Sequence, residues 1–350
     1  MSPRLQPRRR RSRLAVYAIA RMTFGMRAEA SGWADGRVVV ADNCQETLSG
    51  NYEREESMSI SRRDLLKLGA GTCAALATGV QLTGALAAGV RRRRARGAGA
   101  AKRVRIGLQL YSVREQCAKD LPGVLAAVAK IGFEGVEFAG YHGRTAQELR
   151  TMLDANGLKC CGTHTGWNTL QGDELKKTVE FNKIIGNPYL ICPGLPHDQV
   201  KSVEAVKTTA KFFTDLAQKV KCDGLRAGYH AHGGDFQKFD GVTVWDILFS
   251  NAGPDVCMQL DIGNCLGGGG DPYAILRKFP CRSATIHIKE FGGEPGAPIG
   301  EGKVKWNEIF DLCETTGNTE WYIVEHESDP KTPMESVKKC FEGLRKMGKV

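Results

Sequence analysis

RIGLQLYSVR, residues 105–114, decides how the chain folds. Its first half is a short apolar run of the kind that fills a buried strand. It continues as Tyr111-Ser112-Val113-Arg114, with no cluster of glycines. A doubly wound open sheet ordinarily carries a glycine-rich phosphate loop directly after its first strand, so that alternative is disfavoured from the outset. Outward from this stretch the same unit recurs. Strands are predicted at 105–112, 135–139 (GVEFA), 159–164 (KCCGTH), 188–192 (PYLIC), 226–232 (RAGYHAH), 256–261 (VCMQLD), 283–289 (SATIHIK) and 321–326 (WYIVEH). Between them, Leu121/Val124/Leu125/Val128, Leu149/Leu153, Val203/Val206/Phe212/Leu216 and Phe310/Leu312 repeat at helical spacing. A last helix is predicted over Met334–Met347. Gly132, Gly157, Gly186, Gly224, Gly253 and Gly317 follow the helices, where a left-handed cap favours glycine. Eight strand–helix units closing on a helix predict an α/β protein, a single (β/α)₈ TIM barrel. Such a barrel needs about 250 residues, which residues 103–350 supply.

The formal charge of +10 suggests nucleic acid until it is located. Residues 1–101 carry 18 Lys/Arg and 8 Asp/Glu, whereas the remainder carries 31 of each. The part expected to fold is neutral and has no field to steer it onto phosphates. Of the twelve cysteines, ten lie beyond residue 101, several within apolar strands (Cys160, Cys161, Cys192, Cys257). A barrel of this size buries enough core to need no disulfides, so these are expected to be free packing residues. No CxxC pair suggests structural zinc.

From Met58 the chain reads MSISRRDLLKLGAGTCAALATGVQLTGALA. Arg62-Arg63 ahead of Leu65-Leu66, a moderately apolar run and Ala85-Leu86-Ala87 resemble a twin-arginine export signal with its cleavage site. The expected organisation is an upstream or disordered extension at 1–57, the signal at 58–87, a basic flexible linker at 88–102 and the barrel at 103–350. Met58 is the more natural start. The expected location is the periplasm, tethered to the membrane if the signal stays uncleaved, with the export machinery as a transient partner. The run is interrupted by Gly and Thr and is weak for a span of about 20 residues.

In a TIM barrel the chemistry sits at the C-terminal strand ends. There the sequence places Gln109, Tyr111, Glu137, His164, His230, His232, Asp261, His287, Lys289, Glu325 and Glu327. Alternation puts His230, Asp261, His287 and Glu325 on inward faces of four successive strands at one depth. Two imidazoles and two carboxylates suit one divalent ion, Zn²⁺, Mn²⁺, Co²⁺ or Fe²⁺. Without a cation, two buried carboxylates would push one pKa up. His232 points the same way as His230 and competes for its place.

GLQLYSVR (107–114), GVEFAG (135–140), YHAH (229–232), LDIGN (260–264), HIKE (287–290) and GEGKVKW (300–306) together resemble the sugar phosphate isomerase/epimerase family of xylose isomerase-like barrels. The resemblance implies a divalent-metal isomerase or epimerase working by proton transfer beside the carbonyl of a sugar or keto-sugar. Keto-sugar or inosose-type dehydratases, hydratases and lyases are the alternative on the same site, and a noncatalytic sugar-binding barrel is the third. It carries the family's Asp, His and Glu ligands onto Asp261, His287 and Glu325. The family's epimerases have a glutamate on strand 5, where this chain has His230. Its usual third-position His after the Asp is Asn264 here. These departures put a two-carboxylate epimerisation in doubt. Glu325 is the expected base, and Glu137 or His164 on the opposite wall is expected to make the second proton transfer. Lys289 is expected to hold a substrate oxygen. Gln109, Tyr111, His232, Trp167, Glu301 and Trp306 are the expected lining of the sugar site. An exported protein suits an unphosphorylated sugar, no nucleic-acid partner is expected, and a homo-oligomer stays open.

Overall fold

The computed structural model describes residues 103–327 and 331–350, besides a short pairing of Trp33–Ala34 with Arg37–Val38. The expected export signal and basic linker lie outside the described residues. Eight strands form one parallel sheet: β1 Arg105–Gln109, β2 Gly135–Phe138, β3 Lys159–His164, β4 Tyr189–Cys192, β5 Arg226–His230, β6 Cys257–Gln259, β7 Thr285–Ile288 and β8 Trp321–Val324. Their order is β6-β5-β4-β3-β2-β1-β8-β7. The ring closes between β6 and β7. There Met258 N donates to Arg282 O (2.7 Å), His287 N donates to Leu260 O (3.0 Å), and Asp261 bridges His287. The chain is therefore a (β/α)₈ barrel. Among the described residues, no helix is long and apolar enough to cross a membrane.

The principal helices are α1 Arg114–Ile131, α2 Ala146–Ala155, α3 Gly172–Ile185, α4 Val203–Lys221, α5 Val244–Asn251, α6 Ile262–Gly267, α7 Pro272–Lys278, α8 Trp306–Leu312 and α9 Pro333–Lys346. Thr145 opens α2 with a capping box: its hydroxyl accepts from Glu148 N while Glu148 Oε2 accepts from Thr145 N (2.8 Å). Gly132, Gly157, Gly186 and Gly224 take positive φ at helix ends, as their positions imply.

Gly253 and Gly317 do not, and each has a physical reason. The guanidinium of Arg282 donates to Phe249 O (2.7 Å) and Gly253 O (2.7 Å), so the carbonyls after α5 need no left-handed cap. Gly253 instead allows close approach, since a Cβ there would meet Thr214 Cγ2 at 2.8 Å. After α8 the backbone widens through Cys313–Gly317, and the left-handed exit falls one residue later on Asn318 (φ 54°). Asn tolerates that region better than most residues because its side chain can hydrogen-bond locally.

The core has two parts. Between strands and helices runs the main apolar layer, with Leu108, Val136, Phe213, Trp245 and Phe310 fully buried. Inside the ring, Cys161, Tyr189, Ile191, Cys257, Ala284, Trp321 and Ile323 form a separate apolar floor. Most of these sit early in their strands, so the floor fills the N-terminal half of the barrel and leaves polar residues above it. The eight buried cysteines among the described residues are free thiols.

Most strands are shorter than predicted, and at β1 this moves a predicted site residue. β1 ends at Gln109 and turns through a 3₁₀ helix at Leu110–Val113. Tyr111 is thereby carried outward, 43% exposed, under the Arg114 guanidinium (4.3 Å to the ring centre). β5 ends at His230, and His232 lies beyond it, exposed, with its N–H donating to Asp235 Oδ2 (2.7 Å). Alternation nevertheless carries past the ladder: the His232 ring stands 4.8 Å from that of His230, one step further out at the rim of the cluster.

Candidate active site

Above the apolar floor lies a layer of buried polar side chains. Glu137, on β2, is wholly buried and accepts three hydrogen bonds: from Gln109 Nε2 (2.8 Å), Gln259 Nε2 (2.8 Å) and His287 Nε2 (2.6 Å). Gly162, paired with Glu137 across β2 and β3, makes room for it, because a Cβ there would collide with the carboxylate. Burial raises the Glu137 pKa, but the imidazoles of His164 and His287 and the hydrogen bonds from His287 and Gln259 outweigh it. The carboxyl ends below its usual range.

The next layer brings together His230, Asp261, His287 and Glu325. One ligand-capable atom from each lies within 4.8 Å of the others, and all four residues are buried. Asp261 pairs with His287, but His230 pairs with Gln259 and His287 with Ile323, so it is the stagger of strands around a barrel that brings the four segments together. His287 Nδ1 is 2.8 Å from Glu325 Oε2 and 3.7 Å from Asp261 Oδ2. Asp261 caps α6: its Oδ1 accepts from Asn264 N at 2.7 Å, while Oδ2 is buried with no hydrogen-bond partner. Asn264 is further tied down, its Nδ2 donating to Ala231 O (3.0 Å).

Burial and the neighbouring Glu325 push the Asp261 carboxyl up to about 7. Burial raises Glu325 too, but the hydrogen bond and charge of His287, with His230 and Lys289, hold it well below the ordinary range. Burial lowers His287, but Glu137 and Glu325 carry it up to about 10. Burial, then the charges of His287 and His164, depress His230 well below the usual imidazole value.

This donor set fits a divalent cation. A positive ion would give Asp261 Oδ2 the partner it lacks and relieve the repulsion between Asp261 and Glu325. The imidazoles of His164, His230 and His287 also come within 4.8 Å. That trio is less suited, because it carries no anionic charge and His164 Nε2 is already engaged with Gln259 Oε1 (3.0 Å).

The family of xylose isomerase-like TIM barrels matches residues 125–347. The chain belongs to that family. This xylose isomerase-like barrel is 23% identical over 262 residues to an inosose dehydratase of Serratia proteamaculans, covering 62% of the chain and 83% of the relative. It superimposes on a sugar phosphate isomerase/epimerase of Parabacteroides distasonis with a TM-score of 0.61 at 24% identity, covering 73% of this chain and 97% of that one. A probable 3-DHS dehydratase of Bacillus anthracis gives 0.51 at 16%, covering 69% and 99%. Both structural likenesses speak to the fold.

Other expected site residues are distributed unevenly. Lys289, on the segment after β7, donates to Glu325 Oε1 (3.0 Å) and Glu327 Oε1 (2.6 Å). His164 stands beside the cluster, its ring stacked 5.5 Å from that of His287. Glu137 is not on an open opposite wall; it is sealed beneath the cluster with its oxygens occupied, so it cannot transfer a proton to substrate and instead holds His287. Gln109 is also sealed in, with its amide spent on Glu137. Trp167 packs on Phe212 (4.4 Å between ring centres), and Trp306 is buried with Nε1 donating to Glu290 Oε2 (2.7 Å). These two rings are packing residues, not a sugar platform. Glu301 is exposed on the segment after β7.

Glu290 escaped sequence reasoning, although it lies within HIKE. Its carboxylate accepts from Phe291 N (3.0 Å), Gly300 N (2.7 Å), Val304 N (3.2 Å) and the Trp306 indole. Four donors on one carboxylate fold the 291–305 segment beside the barrel mouth. Glu290→Ala is expected to loosen that segment and accelerate trypsin cleavage after Lys303 and Lys305; an unchanged cleavage rate would dispose of the idea. Gly263 has a neighbouring role. A Cβ there would stand 2.8 Å from Lys289 Cγ, 2.9 Å from Glu290 O and 3.0 Å from Lys289 O. Two of these contacts are backbone, so Gly263→Ala is expected to cost about 1–3 kcal/mol, as overpacking does. A lowered Tm checks this, and a variant as stable as the parent contradicts it.

Proposed function

We propose that this barrel is a divalent-metal-dependent dehydratase of a keto-sugar or cyclitol ketone, removing a proton beside the carbonyl and expelling a hydroxyl as water. The observation that carries the reading is the unlike chemistry of the two sides of the cluster. On β3, His164 offers an imidazole whose side chain is 10% exposed, against 0% for His287. Across the barrel, after β7, stands the ammonium of Lys289, 20% exposed and paired with Glu325 and Glu327. Strands 3 and 7 are diametrically opposed in an eight-stranded ring. A base facing an acid suits elimination, whereas inverting one carbon calls for two matched bases. The pair of opposed carboxylates expected of an epimerase is missing, because His230 occupies strand 5 and Glu137 is sealed. The inosose dehydratase relative points the same way.

His230, Asp261, His287 and Glu325 would hold the cation, which supplies Lewis-acid polarisation of the substrate carbonyl. His164 takes the α-proton. The electrons of that C–H bond form the new double bond, the bond to the β-hydroxyl breaks, and Lys289 gives the departing oxygen its proton. Because the α-carbon of such a substrate carries a hydroxyl of its own, water and an enol leave the site, and the enol becomes a ketone. Lys289 is recharged from solvent as His164 loses its proton, so the cycle balances.

The test is incubation of the full chain with Mn²⁺, Co²⁺ or Zn²⁺ and a panel of cyclitol ketones and keto-sugars in D₂O, followed by NMR and mass spectrometry. A product lighter by one water is expected. Conversion to an epimer or isomer of unchanged mass would replace this reading with the isomerase one. Absence of both reaction and metal binding would leave a sugar-binding barrel. The proposed setting remains outside the cytoplasm, on the leader's resemblance to an export signal.

A further inference from the structure

We infer that Gln259, oriented by Glu137, is a positioning residue that locks the tautomers of His164 and His230, and so chooses which ring nitrogen each presents. The inference rests on the reading above in treating the cluster as a cation site. Tyr111 N donates to Gln109 Oε1 (2.9 Å), which leaves the amide NH₂ of Gln109 to meet Glu137 Oε2 (2.8 Å). Gln259 is oriented by the same carboxylate. Its Nε2 faces Glu137 Oε1 (2.8 Å) and Thr285 Oγ1 (3.0 Å). An ionised carboxylate can only accept, so the end of Gln259 that touches it must be the NH₂ end.

The Oε1 of Gln259 therefore lies at the other end, 3.0 Å from His230 Nδ1 and 3.0 Å from His164 Nε2. A carbonyl oxygen has lone pairs and no proton, so both nitrogens donate to it. His230 carries its proton on Nδ1 and offers Nε2. His164 carries its proton on Nε2 and offers Nδ1, which makes no hydrogen bond among the described residues. One oxygen thus fixes two histidines in opposite tautomers. Glu137 orients the third ring: His287 donates to it from Nε2 (2.6 Å), which turns Nδ1 toward Asp261 and Glu325. Second partners of this kind orient ligating imidazoles in metal sites generally. Here they also prepare the unligated His164 as a base.

The consequence can be read without turnover. In the metal-free, ¹⁵N-labelled chain, long-range ¹H–¹⁵N spectra are expected to show His230 as the Nδ1–H form and His164 as the Nε2–H form, assigned with single-histidine variants. Gln259→Met keeps the approximate volume and removes the carbonyl. It is expected to release His230 from the Nδ1–H form and to weaken Zn²⁺ binding, measured by calorimetry, by about 10- to 100-fold. Wild-type His230 protonated on Nε2 would overturn the lock, as would a Gln259→Met variant with unchanged spectrum and unchanged Zn²⁺ affinity. Should the variant not fold, the wild-type spectrum alone decides. Wild-type protein with both tautomers as assigned but no affinity for Zn²⁺ would sink the cation reading and leave the lock intact.

Discussion

Asp261→Asn is expected to shift stability in opposite directions with and without a divalent ion. Asparagine is as good a helix cap as aspartate, so the bond from Asn264 N (2.7 Å) that starts α6 survives. What disappears is the Asp261 carboxylate, which is buried next to Glu325 and whose Oδ2 has no hydrogen-bond partner. In metal-free protein that charge is a burden, and its removal raises Tm by about 2–4 °C for each kcal/mol relieved. In the presence of Mn²⁺ or Zn²⁺ the order reverses. A site that loses an anionic ligand is expected to lose more than the roughly 10- to 100-fold in affinity that follows loss of a ligand's supporting partner. The stabilisation gained by wild type from saturating metal, about 2.7 kcal/mol at a hundredfold excess over Kd, should then vanish. Thermal melts of both proteins with EDTA and with added metal check this. A variant stabilised by metal as strongly as the parent would remove Asp261 from the ligand set.

His164→Gln is expected to lower kcat by about 10²- to 10⁴-fold, the usual contribution of a positioned acid or base. The substitution is chosen because the glutamine amide can still donate to Gln259 Oε1, the bond that His164 makes through Nε2 at 3.0 Å. The polar layer beneath stays assembled, and metal affinity is expected to change by no more than a few-fold. A variant that binds Zn²⁺ normally but does not turn over assigns His164 to proton transfer. One that loses metal and activity together makes it a ligand, and one with wild-type kcat gives it no role.

Much of the architecture could be read from the chain because it is written in local terms. Each strand is a short apolar run bounded by helical spacing, and each helix start or stop depends on near neighbours such as Thr145 with Glu148. The approach of His230, Asp261, His287 and Glu325 was legible for a related reason: each is an inward residue at the C-terminal end of its strand, and the regular stagger of a barrel gathers those ends at one mouth. Contacts across the ring were not legible. Glu137 meets His287 across 150 residues, and Gln259 reaches Glu137 across 122. Nothing near Glu137 in the chain says whether its carboxylate is open to substrate or sealed beneath it. Trp167 and Trp306 misled for the complementary reason, since an aromatic ring near a strand end looks alike whether it faces a sugar or Phe212. Tyr111 shows how two residues past the end of a strand suffice to lose its alternation.

The joint between β6 and β7 is where the ring closes, and Asp261 and His287 face each other across it. An ion gripped by both would act as a rivet through the last stave joint. Loading the protein and shutting the cylinder would then be one event, and the amide protons of Met258 and His287 would be the first to trade with solvent once the ion is stripped away.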